Sequence, residues 1–236
     1  MNIVLVHGSW QGAWCWEKVT PLLEQAGHTV IAPDLPGHGQ DKTALEVITL
    51  DTYVDCVMQA LHGLNEPAIL LGHSMAGIVI SQVAQRVPEK IARLVYLAGF
   101  LPQTGESLIS LAKQQKPTKA TSPMRIVSEE KAVYFPPSYM RPFAYNRCDD
   151  AVFKAIEPLF CVGPFLPWTM PVKITPERYG LVPRLYVECE QDNAIHLSSS
   201  QRMVLHSPSE VLRLNSDHSP FYSDPHGLVE ILLKLT

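Results

Sequence analysis

The 236-residue sequence predicts an α/β protein: a mostly parallel, doubly wound sheet of about six strands, interrupted by an inserted cap. Three observations lead there. Short apolar runs alternate with helix-like segments, a proline- and aromatic-rich stretch breaks the alternation, and a glycine-flanked serine joins one run to the helix after it.

The apolar runs are Ile3–Val6, Thr29–Ala32, Ala68–Leu71, Leu94–Ala98, Leu185–Cys189 and Val211–Leu214. Each is almost continuously apolar, as in strands covered on both faces; a half-exposed strand would alternate. Helix-like segments lie around Trp14–Gln25, Thr52–Leu64 and Ser74–Arg86, and Pro225–Leu235 reads as a terminal amphipathic helix. Helical crossovers return the chain to the same end of the sheet, so the strands are expected to run parallel.

The alternation stops between residues 101 and 183. That stretch holds twelve of the 20 prolines and ten of the 19 aromatic residues, so it is neither a set of long helices nor a disordered linker. It is expected to be a cap with an apolar, aromatic wall, inserted into a core made of residues 1–100 and 184–236.

Composition excludes several classes. A net charge of −4 leaves no basic footprint for nucleic acid. No run approaches the roughly 20 apolar residues of a membrane span, and Met1-Asn2-Ile3-Val4 reads as a first strand rather than a leader. Five cysteines without a paired spacing argue against a disulfide framework and against structural zinc. A cytoplasmic protein is the expectation, and the sequence is compatible with a homodimer.

The chemistry centres on Gly72-His73-Ser74-Met75-Ala76-Gly77. Small residues around a serine between a strand and a helix form a nucleophile elbow, whose cramped backbone lifts the hydroxyl toward a substrate. The closing glycine of the usual G-x-S-x-G pattern is Ala76 here, with Gly77 one residue later.

A serine hydroxyl needs a base. Of nine histidines, His218 stands out, in the polar turn Asn215-Ser216-Asp217-His218-Ser219-Pro220 directly after the last strand. Ligands of open parallel sheets gather at the carboxyl ends of the strands, where this turn and the Ser74 turn converge. His28, His62, His206 and His226 read as solvated or capping residues. His38 reads as structural, His73 as pointing away from the nucleophile, and His196 as a weaker candidate for the site wall.

The acid that orients the base is expected just past the fifth run, where Glu188, Glu190 and Asp192 compete, with Asp217 an outsider. Asp192 is favoured: it is short and lies beyond the strand end, whereas Glu188 sits within the strand and Asp217 adjoins the histidine. Backbone N–H groups must also meet the developing oxyanion. Met75, after the nucleophile, and Ser9, in the loop after the first strand, are the expected donors, with Trp10 next in line. Gly8 lets that loop approach closely. Gly8, Trp10, Phe160 and Trp168 are the expected substrate contacts.

Together these residues resemble the α/β-hydrolase superfamily over essentially the full chain. More narrowly, they resemble the branch of plant methyl-ester esterases, hydroxynitrile lyases and related bacterial esterases. The resemblance rests on residues 4–14 (VLVHGSWQGAW), 33–39 (PDLPGHG) and 72–77 (GHSMAG), with Asp192-Asn193-Ala194-Ile195 and Gln201-Arg202-Met203 later. It implies the α/β-hydrolase fold, a Ser74–His218–Asp192 triad, oxyanion donors at Ser9 and Met75, and no cofactor. The lyases of this branch carry a lysine where Ser219 follows the triad histidine, and a threonine where Gly8 stands. Both departures favour hydrolysis. The expectation is a serine carboxylesterase for a small, apolar or aromatic ester. The alternatives are a lyase or another hydrolase on the same triad, and a small-molecule receptor.

Overall fold

The computed structural model describes residues 1–115, 124–127, 129 and 131–236. Its strands are β1 (Asn2–Val6), β2 (Thr29–Ile31), β3 (Ala68–His73), β4 (Ile91–Leu97), β5 (Arg125–Val127), β6 (Ala132–Tyr134), β7 (Gly163–Pro164), β8 (Arg184–Cys189) and β9 (Glu210–Leu214). The α-helices are α1 (Thr20–Gln25), α2 (Leu50–His62), α3 (Ala76–Arg86), α4 (Leu108–Lys113), α5 (Pro137–Ala144), α6 (Asp150–Ile156), α7 (Leu166–Thr169), α8 (Leu197–His206), α9 (Pro220–Ser223) and α10 (Pro225–Leu233).

All six expected strands are present, parallel, in the order β2-β1-β3-β4-β8-β9. The chain leaves β1 for β2 on one side and then crosses to β3 on the other. That reversal opens a crevice at the carboxyl ends of β1 and β3, the position where such sheets bind ligands. The pairing of Val6 with Gly72 brings the two loops that follow these strands side by side.

Burial explains the strand pattern. Ile3–Val6 and Ala68–Leu71 are wholly inaccessible to solvent, and each fully buried aliphatic side chain contributes roughly 1.5–3 kcal/mol. The edge strand β9 is mostly exposed except at Leu214. Helix α2 buries Leu50, Tyr53, Val54, Val57 and Leu61, the stripe of a helix with one face on the core. Its start is fixed by a capping box between Thr49 and Thr52. Helix α3, packed against both α2 and the sheet, is buried around most of its circumference.

Two expected helices differ. The segment around Trp14–Gln25 is a 3₁₀ turn (Ala13–Trp16) and then α1, which starts afresh with Pro21 in its first turn. Proline lacks the N–H that a continuous helix would need there. The terminal helix is preceded by α9, and Asp224 separates the two by accepting a bond from the Gly227 N–H. Helix α8 was not expected at all. Its Ser198-Ser199-Ser200 run shows no apolar stripe, yet it supplies the crossover between parallel β8 and β9.

Between β4 and β8 the chain forms α4 to α7 and an antiparallel sheet in the order β5-β6-β7. No helix there exceeds eight residues among those described, in keeping with the proline density. No helix among the described residues is long and apolar enough to cross a membrane.

Candidate active site

Ser74 occupies the turn between β3 and α3 with φ of +53°. A non-glycine residue in this region costs on the order of 1–3 kcal/mol and persists only where its surroundings hold it. Here the Ser74 N–H donates to Leu97 O (3.2 Å), and the Ser74 carbonyl accepts from the N–H groups of Gly77 (3.1 Å) and Phe100 (3.0 Å). The glycines are equally constrained. A Cβ on Gly72 would lie 2.8 Å from Ala76 O, and one on Gly77 would lie 2.1 Å from Phe100 O. The close approach that requires a glycine therefore falls on Gly77, and Ala76 is accommodated.

His218, in the turn after β9, is buried, and its Nδ1 lies 2.7 Å from Asp192 Oδ2. The other Asp192 oxygen accepts from the N–H groups of Ala194 (2.7 Å) and Ile195 (2.8 Å), which fixes the carboxylate in the turn after β8. The competing acids are engaged elsewhere. Glu188 is buried against Arg213 (2.9 Å) and Ser200 (3.1 Å), and Glu190 is exposed. Asp217 accepts from the Ser219 N–H (3.0 Å), the Ser223 hydroxyl (2.7 Å) and the Arg147 N–H (2.7 Å). Ser74 Oγ makes no hydrogen bond among the described residues. Such contacts often tighten only once substrate is bound.

The first loop packs directly on the elbow. A Cβ at Gly8 would meet His73 Nδ1 at 2.7 Å and Ser74 Cβ at 3.0 Å. The Gly8 N–H is already committed to Gln11 Oε1 (3.0 Å), whereas those of Ser9 and Met75 donate no hydrogen bond among the described residues. Trp10 has φ of +62°, and its indole N–H donates to Val133 O (3.1 Å). Trp168 stands edge-on to Trp10 at 5.4 Å, and Phe135 lies 4.9 Å away. Phe160 belongs to a different aromatic cluster, 5.5 Å from both Trp14 and Tyr145.

Two polar residues, Gln11 and Tyr145, escaped the sequence reading as parts of this region, and Asp217, weighed there as the acid, accepts from backbone and hydroxyl donors instead. Their partners lie 134 residues apart for Gln11 and Tyr145, and 70 apart for Asp217 and Arg147, so no local pattern announces them.

Buried histidines surround the site in neutral form. Burial lowers His7 to about 4, partly offset by its bond to the Gly8 carbonyl. Burial, with the charge of neighbouring His7 second, lowers His38 to about 3. Burial also holds His73 well below its ordinary value, followed by repulsion from His218. Burial raises all five thiols: Cys56, Cys148 and Cys161 to about 11, and Cys15 and Cys189 well above the usual thiol range. None offers a thiolate nucleophile near neutrality.

The histidine shifts carry a consequence for stability. Unfolded, His7 and His38 take up protons near pH 6.5; folded, they resist until about 4 and 3. Below pH 6.5 the unfolded chain therefore binds more protons, and stability falls as pH falls toward 4. With two such groups the slope approaches about 2.7 kcal/mol per pH unit. Denaturant unfolding at pH 7, 6, 5 and 4 should show that loss, reduced in His38→Gln. A pH-independent midpoint across this window would contradict it.

A family model described as the alpha/beta hydrolase family matches residues 3–231. The chain belongs to that family. This hydrolase is 33% identical to Methylesterase 7 of Arabidopsis thaliana over 99% of its own length and 95% of that protein. Among solved structures, the hydrolase is similar to polyneuridine aldehyde esterase (TM-score 0.90, 27% identity, 99% of this chain and 98% of that one). It is also similar to a pyrethroid hydrolase from Sphingobium faniae JZ-2 (TM-score 0.89, 28% identity, 99% and 96%). It is an esterase-type alpha/beta hydrolase of the plant methylesterase-like branch.

Proposed function

We propose that the protein is a serine carboxylesterase that cleaves a small ester, with an apolar or aromatic portion, through an acyl-enzyme. The observation that carries this reading is the buried His218–Asp192 pair, 2.7 Å apart, at the same end of the sheet as the strained Ser74 turn. Ser74 Oγ attacks the ester carbonyl carbon while His218 Nε2 takes the hydroxyl proton. Asp192 keeps the imidazole proton on Nδ1 and stabilises the imidazolium. The tetrahedral oxyanion rests on the N–H groups of Ser9 and Met75, each donor worth roughly 3 kcal/mol in the barrier. Collapse expels the alcohol, which leaves with the proton from His218. Water, deprotonated by the same histidine, then releases the acid and restores Ser74.

Residues 101–183 act as the cap in this reading. Trp10 and Trp168 supply apolar contact surface, and Phe160 acts through the neighbouring cluster. The small-ester preference is supported by relatives named as methylesterases. Cyanohydrin cleavage is disfavoured, because a threonine side chain at position 8 would run into His73 and Ser219 stands where the lyases carry lysine.

The test is a panel of methyl and aryl esters of graded acyl length, with mass spectrometry of enzyme treated with an aryl fluorophosphonate. Turnover of esters with apolar acyl groups and a single phosphonyl adduct on Ser74 are expected. Turnover that persists with Ser74 fully phosphonylated would overturn the reading.

A further inference from the structure

The loop that would present the Ser9 N–H is fastened mainly by residues outside the core sheet. Gln11 is its hub. Its Oε1 accepts the Gly8 N–H (3.0 Å) and faces His73 Nδ1 (3.1 Å), while its Nε2 donates to the Tyr145 hydroxyl (2.6 Å). All four residues are buried. Further along the loop, the Trp10 carbonyl accepts from the Cys161 N–H (3.0 Å) and the Trp10 indole donates to Val133 O. Tyr145, Cys161 and Val133 all come from the segment between β4 and β8.

This matters because the loop is strained at Trp10, with φ of +62°, and a strained turn relaxes unless its surroundings over-determine it. The Gly8–Gln11 bond also occupies the Gly8 N–H, which then does not compete with Ser9 for a developing negative charge. His73, whose Nε2 lies 2.8 Å from His218 O, extends the same network to the base.

We propose that Gln11 and Tyr145 are positioning residues that set the Ser9 N–H for the oxyanion, so that the cap segment tunes transition-state stabilisation and not only substrate fit. The proposal rests on the esterase reading above. Displacing an oxyanion donor by a fraction of an ångström weakens binding of the tetrahedral state and leaves planar ground-state binding nearly untouched.

The experiment compares wild type, Tyr145→Phe, Gln11→Met and the double variant. Tyr145→Phe keeps the ring in its cluster with Phe153 and Phe160 and removes only the hydroxyl. Each single variant should lose about 10- to 100-fold in kcat, with KM changed by less than about threefold. Affinity for an alkyl trifluoromethyl ketone, which Ser74 converts to a tetrahedral adduct, should fall in step with kcat. Affinity for the planar methyl ketone of equal length should hold. The double variant should lose little more than the worse single, as residues acting through one contact do. The exposed Tyr139→Phe serves as the control and should match wild type. Wild-type kcat in Tyr145→Phe overturns the proposal, as does a parallel loss of affinity for both ketones with a lowered melting temperature, the mark of a purely structural role. Ester turnover that survives Ser74→Ala overturns the esterase reading itself, a result distinguishable from either.

Discussion

Ester turnover by Ser74→Ala is expected to fall by about 10⁴-fold or more in kcat, while the melting temperature stays close to wild type. Both halves follow from the structure. The Ser74 side-chain hydroxyl makes no hydrogen bond among the described residues, so its removal leaves no buried partner unsatisfied. Alanine carries the same Cβ as serine, so the cost of φ at +53° is unchanged, and the backbone bonds to Leu97, Gly77 and Phe100 remain. Residual catalysis would come from the oxyanion donors and from binding alone. Rates on the most reactive ester of the panel, measured beside thermal melts, check the two together. Loss of activity accompanied by unfolding would show only that the turn is structural.

Asp192→Asn has the second largest expected effect, a loss on the order of 10⁴-fold in kcat. Asp192 Oδ1 already accepts two backbone N–H groups, from Ala194 and Ile195. An amide NH₂ cannot occupy that position, so asparagine must turn its carbonyl there and present NH₂ to His218 Nδ1. A donor at that place forces the imidazole proton onto Nε2, and the ring can no longer accept the proton of Ser74. Geometry is preserved while the tautomer is wrong. Glu190→Gln, at an exposed position, should be indistinguishable from wild type. If Glu190→Gln proved the damaging change and Asp192→Asn the silent one, the assignment of the acid would be reversed.

The parts legible in the sequence are those written in local patterns. Ile3–Val6 and Ala68–Leu71 declare themselves because both faces are buried, which removes the alternation of a half-exposed strand. The Ser74 turn declares itself because a left-handed residue between strand and helix demands small neighbours. Asp192 and His218 follow from their places after β8 and β9. What stayed hidden is set by contacts between distant segments. Helix α8 owes its existence to the crossover it completes rather than to its own serine-rich composition. The glycine at position 77 answers to the Phe100 carbonyl, which no local motif specifies. Gln11 bonds Tyr145 across 134 residues of sequence, a contact that its own loop does not announce.

The anchoring of Ser74 also bears on how long its strained conformation lasts. Its amide is bonded to the end of β4, and its carbonyl holds the amide of Phe100, so the turn is tied to two central strands of the sheet. Amides fixed in this way exchange with solvent only when the whole domain opens, whereas those of peripheral segments exchange through local fluctuation. The partly exposed strand β5 belongs to the second kind. Local opening of β5 would therefore leave the strained Ser74 turn, bonded to Leu97 and Phe100, in its conformation.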